Sequence, residues 1–335
     1  MENTLATLFA AISVGPEQFY KNMAVFPLLS NAVSNLAFIT LDEALTQRAL
    51  VITEIDESGR VPELKVVNNS DHKILLLDGE ELVGAKQNRV LNVTILLAPN
   101  SMTLIPVSCI EQGRWSYKGR EFRSGNRIMN ADLRKKKNQA VHQRLRQSGF
   151  FASDQGEIWK EIDLKFERSQ VPPSPTGALS DLFEARRDTI DDYLKNFSLV
   201  TQQIGLAVFI DGTIAGVEIF GRHDKFQILY PKVVSGYIMD ALENDLAASE
   251  RHTSLFFNML VGFLAEAAKA PLDRRKSVSL GWDIRLESEA LVGAGLEFEN
   301  QILHLSLFQK DSGQKTRNNE WPRRRPSERR RSILR

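Results

Sequence analysis

Apolar runs in this chain come in pairs joined by two-residue turn signals, and this pairing constrains the fold more than any other feature. Asp78-Gly79 separates ILLL from EELVG, Asp211-Gly212 separates residues 204–210 from 213–220, and Glu299-Asn300 lies near the middle of 295–308. Asp-Gly between apolar runs is a strong hairpin signal, because both residues accept the positive φ of a tight turn. At the first turn, a hairpin places Glu80 opposite Leu77 and Glu81 opposite Leu76. Further strands are predicted at 23–29, 35–40, 50–54, 63–67, 74–77, 90–97, 102–110 and 278–286. Strict strand–helix alternation is absent, so the expected class is α+β, with a strand-rich N-terminal half, a helical middle and a hairpin-helix C-terminal part.

Helical spacing appears at Leu5, Leu8, Phe9 and Ile12, and again at 157–166, 179–197, 254–268 and a long segment from Asp224 or Pro231 to 244. Residues 171–177 (VPPSPTG) form a loop, because closely spaced prolines stop a helix. Between Gly113 and Arg146 eleven Lys or Arg face two acids, and the run Arg134 to Lys137 reads as a solvated helix face. The expected organisation is a strand-rich lobe at 1–118, a basic and helical segment at 119–200, a hairpin-helix-hairpin lobe at 201–310 that joins the preceding parts in one composite domain, and a basic tail at 311–335.

The formal net charge of +1 hides an asymmetry. Residues 315–335 carry nine basic and two acidic residues, a net of +7, which leaves 34 basic and 40 acidic elsewhere, a net of −6. The tail has too little apolar material to offset ordering entropy and is expected to be disordered. Cys109 is the single cysteine, so no internal disulfide forms and a reducing, cytoplasmic address is expected. The N-terminus lacks the basic start of a secretory signal, and the most apolar helix is shorter than the roughly 20 residues a bilayer requires, so no membrane contact is expected.

Polar groups crowd strand ends between Ile74 and Trp115, where the sequence otherwise reads as core. Strand alternation puts Gln87 and Arg89 on the apolar face of Leu91, Val93 and Ile95, and puts Glu111 on the face of Cys109. A buried guanidinium is costly alone, so Arg89 should pair with Glu111, Glu80, Glu81 or a ligand anion. One reading is an ion-pair network that fixes register. The other is a ligand site, favoured because Gln87, Asn88, Gln112 and Arg114 add more polar capacity than one salt bridge needs. There Arg89 and Arg114 hold a phosphate or carboxylate, Gln87, Asn88 and Gln112 read polar groups, Trp115 stacks on a ring, and Glu80, Glu81 or Glu111 serves as general acid or base. Cys109 sits in an apolar strand and reads as packing.

The five histidines are scattered without HExxH or Cys-His spacing, which disfavours zinc. Oxygen ligands from Glu80, Glu81 and Glu111 would suit magnesium or calcium, though no spacing demands a metal. There is no Walker loop, no GxGxxG after a strand and no GxSxG elbow. No cofactor is indicated.

The blocks VGPEQFYKNMAVFPLL, LLLDGEELVGAKQNRVLN, IPVSCIEQGRW, QGEIWKEI and GLAVFIDGTIAGVEIFG resemble, in this order, the bacterial family named the ADP-ribosylglycohydrolase- and rhodanese-phosphatase-superfamily-associated protein domain. The resemblance runs from about Ile12 to Leu242, with Phe308 as its outer limit, and is most specific at DGEE…QNR and CIEQGRW. It implies a role near NAD or ADP-ribose metabolism by genomic association, with no established reaction. Three functions therefore compete: binding or processing an ADP-ribose-related or other phosphorylated metabolite at the strand-end site; a non-catalytic accessory protein with a protein partner; and nucleic-acid binding through the basic tail.

Overall fold

The computed structural model describes residues 4–31, 34–59, 61–172, 174–243 and 252–311. Almost all of the tail, and the disorder expected of it, lies outside the described residues. The α+β class is correct: strand hairpins fill both ends of the chain and helices its middle.

Among the described residues three sheets carry the fold. The largest has the order Ser13–Val14, Met23–Leu29, Gln203–Ile210, Thr213–Phe220, Gln301–Gln309, Leu291–Phe298, Trp282–Glu287, Leu272–Lys276, with Gln18–Tyr20 also paired to Met23–Leu29. N-terminal strands thus complete a sheet otherwise built from residues 203–309. The second sheet runs Phe122–Ile128, Glu80–Gly84, Arg89–Leu91, Ser101–Cys109, Glu63–Asn68, Leu50–Thr53, and the third runs Ile95–Leu97, Ile74–Leu76, Ile39–Thr40. Pairing is antiparallel except between Ile39–Thr40 and Ile74–Leu76.

Two of the three predicted turns close hairpins. Asp211 and Gly212 adopt φ of 50° and 76°, and Glu299 and Asn300 adopt 50° and 57°. Positive φ at both central residues gives a turn whose twist matches the flanking strands, which then pair directly. Asp78-Gly79 behaves differently. Gly79 has φ +85° while Asp78 is not among the residues with positive φ, the combination of a type II turn, which splays its arms. Ile74–Leu76 accordingly enters the three-stranded sheet and Glu80–Gly84 the six-stranded one, so the predicted hairpin and its Glu80–Leu77 and Glu81–Leu76 pairings do not form. The predicted strand 90–97 divides likewise into Arg89–Leu91 and Ile95–Leu97, in different sheets. At the division the side chains of Asn92 and Thr94 bond to Phe151 O, Ser108 and His304, while the Asn92 N–H still donates to Pro106 O.

Helix positions follow the apolar spacing. Gln155–Arg168 is capped by Asp154, whose side chain accepts from Glu157 N–H, and buries Ile158, Ile162 and Phe166 along one stripe. The predicted helix 179–197 divides at Arg186 into Leu179–Ala185 and Arg187–Leu194. His223–Ala241 continues through Pro231. Thr253–Lys269 covers the large sheet with Phe256, Leu260, Phe263 and Ala267. Among the described residues no helix is long and apolar enough to cross a membrane.

The solvated face expected at Arg134 to Lys137 is corrected by the helix Ala131–Ser148. Arg134 and Lys137 are each 1% exposed, among the most buried large side chains of the molecule. Lys137 pairs with Asp78, which also accepts from Asn138 Nδ2 at 2.9 Å. Arg134 Nη1 donates to Glu218 Oε1 at 2.7 Å, and Tyr237 and His304 hold the same carboxylate at 3.0 and 2.9 Å. His304 in turn contacts Thr94 Oγ1 at 2.9 Å, which accepts from Asp78 N–H at 3.1 Å. Burial alone would raise Asp78 and Glu218, but Lys137 and Arg134 at the first and Arg134 and His304 at the second hold both below the ordinary carboxylate range. This network joins the large sheet to the crossings at Asp78 and Thr94, where two strands pass between the smaller sheets.

Candidate functional site

An edge strand absent from the sequence expectations builds the best-formed site near the carboxylate motif. Phe122–Ile128 pairs with Glu80–Gly84 in register from Phe122↔Gly84 to Ser124↔Leu82, then slips before Ile128↔Glu80. Four residues of one strand thus oppose two of the other, and Asn126 takes φ +52° in the resulting bulge. Gly, Asn and three charged or polar neighbours make FRSGNRI a poor strand by propensity, which is why local reasoning misses it. Bulges re-aim side chains, and this one presents Arg127 to a cleft of about 440 Å³. The helices Leu179–Ala185 and Arg187–Leu194 supply Phe183, Arg187, Ile190, Asp191 and Leu194, and the long helix supplies Ile228, Pro231, Lys232 and Ser235.

Glu81 lies directly behind this wall. A Cβ added to Gly125 would sit 2.6 Å from Glu81 Oε2, so glycine is needed for the carboxyl to fit. Arg127 Nη1 is 3.4 Å from Glu81 Oε2, while Arg127 Nη2 pairs with Glu184; Glu81 Oε1 is buried without a hydrogen bond. Burial pushes the Glu81 carboxyl up to about 7, against the pull of Arg127 and aided by the neighbouring Asp181 and Glu111 charges. Glu80 occupies the other side of its strand: Oε2 accepts from Leu77 N–H at 2.7 Å and Oε1 pairs with Lys232, which also reaches Asp42 Oδ2 at 2.5 Å. Burial disfavours the Lys232 ammonium, yet Glu80 and Asp42 outweigh it and keep the group charged.

The other residues singled out in the sequence fall into two separate groups. Glu111 and Arg114 form a two-point pair, Nε to Oε1 at 2.9 Å and Nη2 to Oε2 at 2.6 Å. Arg114 also donates to the carbonyls of Gly84, Ala85 and Ser116 and to Asn88 Oδ1, and Asn88 N–H donates to Glu111 Oε2. Every guanidinium hydrogen is used, and Arg114 holds the Glu111 carboxyl down although burial opposes this. Arg89 pairs with none of the three expected glutamates. Its Nη1 donates to Gln87 Oε1 at 2.9 Å and its Nη2 lies 3.5 Å from Glu54 Oε1. Its guanidinium lies 5.5 Å from the Trp115 ring centroid. Trp115 and Gln112 are exposed. Cys109 is fully buried beside Arg89, and burial pushes its thiol up to about 11.

Glu80 and Glu81 therefore adjoin the cleft through their cation partners, Glu111 is spent on Arg114, and the three carboxylates do not converge. Among the described residues no group of three or more His, Cys, Asp or Glu has a metal-binding arrangement. Sequence reasoning missed Arg127, Arg187 and Lys232. Lys232 did leave a signal, a single lysine directly after Pro231 within an otherwise apolar helical stretch.

A family model described as the ARG and Rhodanese-Phosphatase-superfamily-associated Protein domain, ARPP-1, matches residues 11–308. The chain belongs to the ARPP-1 family. No curated protein and no solved structure matches it. The ARPP-1 match contains all three sheets almost entirely, the cleft and both strand-end groups, and it stops before the basic tail.

Proposed function

We propose that this protein binds a phosphorylated, sugar-bearing metabolite of the ADP-ribose or NAD class in the Arg127–Lys232 cleft, with Glu81 as the proton donor or acceptor. The observation that carries the reading is the combination of groups at one cleft: Arg127, Arg187, Lys232 and the carboxylate Asp191 in its lining, an apolar wall of Phe183, Ile190, Leu194 and Ile228, and Glu81 buried directly behind Gly125 and Arg127. Arginines accommodate phosphate oxygens in a forked geometry, carboxylates accept from sugar hydroxyls, and the apolar wall takes a flat ring. A carboxyl titrating near 7 can give or take a proton at neutral pH, as general acid–base chemistry requires.

The accessory-protein reading is favoured at Glu111, Asn88 and Arg114, whose hydrogen bonds close internally. That half of the motif serves the fold.

The test is a thermal-shift and calorimetric titration with ADP-ribose, NAD and ribose phosphates on the parent chain, on Arg187→Ala and on Glu81→Gln. The Arg187 side chain is 63% exposed and among the described residues it forms an ion pair with Glu184 only, so its removal should leave the fold intact. A ligand at about 100 times its dissociation constant stabilises the native state by roughly 2.7 kcal/mol. Arg187→Ala should weaken binding about tenfold, while Glu81→Gln should retain binding and lose any turnover. Absence of a shift in the parent with every ligand, or an equal shift in Arg187→Ala, overturns the proposal.

A further inference from the structure

A second surface, argued independently of this reading, lies on the loop between Glu111 and Phe122 and the start of the strand that follows it. Trp115 and Tyr117 are 47% and 46% exposed. They are held apart by Lys86, whose Nζ lies 5.3 Å from the Trp115 centroid and 5.1 Å from that of Tyr117. Lys86 is itself buried and fixed, donating to Glu57 O at 2.6 Å and Ser58 O at 2.7 Å. The backbone beneath the rings is also fixed: Ser116 N–H donates to Lys86 O, Lys118 N–H to Ala85 O, and Arg114 to Ser116 O. Two partly exposed rings are thus preorganised on a braced loop. Exposed Lys118, Arg120 and Arg123 follow, against Glu121 alone, giving this stretch a net of +2. Arg120 is 3.8 Å from Glu57 in a pair exposed on both sides, which a phosphate can displace at little cost.

We infer that this loop is a platform for single-stranded nucleic acid, with unpaired bases stacking on Trp115 and Tyr117 and phosphates meeting Lys118, Arg120 and Arg123. Two fixed aromatic rings followed by exposed cations suit a flexible polyanion with flat bases, because stacking tolerates any base and the cations follow the backbone. An apolar protein partner would gain from the rings and pay to desolvate the three cations. A duplex offers phosphates and no free base faces.

The experiment is fluorescence anisotropy of labelled oligo(dT) and of a matched duplex with the full chain across a salt series. The variants are Trp115→Ala/Tyr117→Ala, Trp115→Phe/Tyr117→Phe and Lys118→Ala/Arg120→Ala/Arg123→Ala. The parent should prefer the single strand. The alanine pair should lose about tenfold or more in affinity, and the phenylalanine pair, which keeps two stacking faces and tests the rings should the alanine pair misfold, should recover most of it. Removal of three phosphate contacts should flatten the logarithmic salt slope by about 2. No binding by the parent, equal binding of duplex and single strand, or unchanged binding by the ring and cation variants together, as binding through the basic tail would give, each overturns the inference.

Discussion

Replacing Arg134 by alanine should rank among the most destabilising single substitutions in this protein, although its sequence neighbourhood looks like a solvated helix surface. The guanidinium bonds Glu218 at 2.7 Å, lies 3.8 Å from Asp78 and sits 5.4 Å from the Phe308 ring centroid. After its removal Glu218 keeps Tyr237 and His304, and Asp78 keeps Lys137 and Asn138, but the cluster is left with one uncompensated buried negative charge. Removing one partner of a buried ion pair costs about 3–5 kcal/mol, a large part of the roughly 5–15 kcal/mol that holds a typical domain folded. Lys136, two residues along, pairs with Asp132 and Glu161 with its side chain 29% exposed, so Lys136→Ala should cost under about 1 kcal/mol. Urea unfolding of both variants at neutral pH measures the contrast, and a fall in melting temperature on the order of 10 °C should accompany Arg134→Ala. The pH dependence has a defined sign. Asp78 and Glu218 are depressed below their unfolded values of 3.8 and 4.5, so their contribution is fully present above those values and is lost as pH falls through the lower folded ones. Equal losses in Arg134→Ala and Lys136→Ala would refute the argument that this network ties the sheets together.

Glu81 has the opposite sign. Its carboxyl is raised from 4.5 to about 7, so the stability associated with its protonated form is present below 4.5 and is lost as pH rises toward and through 7; Glu81→Gln should therefore match the parent near pH 4 and exceed it by up to about 3 kcal/mol at pH 8, as urea titrations at the two pH values will show. Gly125→Ala puts a methyl 2.6 Å from Glu81 Oε2, so the carboxyl must move, with a cost of about 1–3 kcal/mol and a weaker ligand-induced thermal shift. Cys109 is fully buried with its thiol pushed up to about 11, so iodoacetamide should label it in denaturant and not in the native chain at pH 7.5, as a mass spectrum will report.

The features legible in the sequence are those set by neighbours in the chain. Asp211-Gly212 and Glu299-Asn300 supply their own positive φ, and Ile158, Ile162 and Phe166 mark a helix face by spacing alone. The resemblance seen in local blocks such as DGEE…QNR and CIEQGRW likewise pointed to the family whose model matches residues 11–308. The polar strand ends did mark buried charge, since Glu80, Glu81, Arg89, Glu111 and Arg114 are all buried.

Tertiary structure decided which charge meets which. Arg89 found Glu54, thirty-five positions upstream, while Arg114 took Glu111, and Glu80 was claimed by Lys232 from a helix far along the chain. Asp78-Gly79 carried the same hairpin signal as Asp211-Gly212, but Asp78 bonds through its side chain to Lys137 and Asn138 and through its N–H to Thr94, and the chain passes between sheets there instead of folding back. Arg134 and Lys137 look solvated among their neighbours and are buried because Glu218 and Asp78 are brought to them by other strands. The sequence determined where most turns, the helix faces and the buried charges at the strand ends would occur, because those depend on residues a few positions apart. Partner choice, the bulge at Gly125–Arg127 and the cleft it opens depend on groups separated by tens to more than a hundred residues, and only the packed chain brings these together.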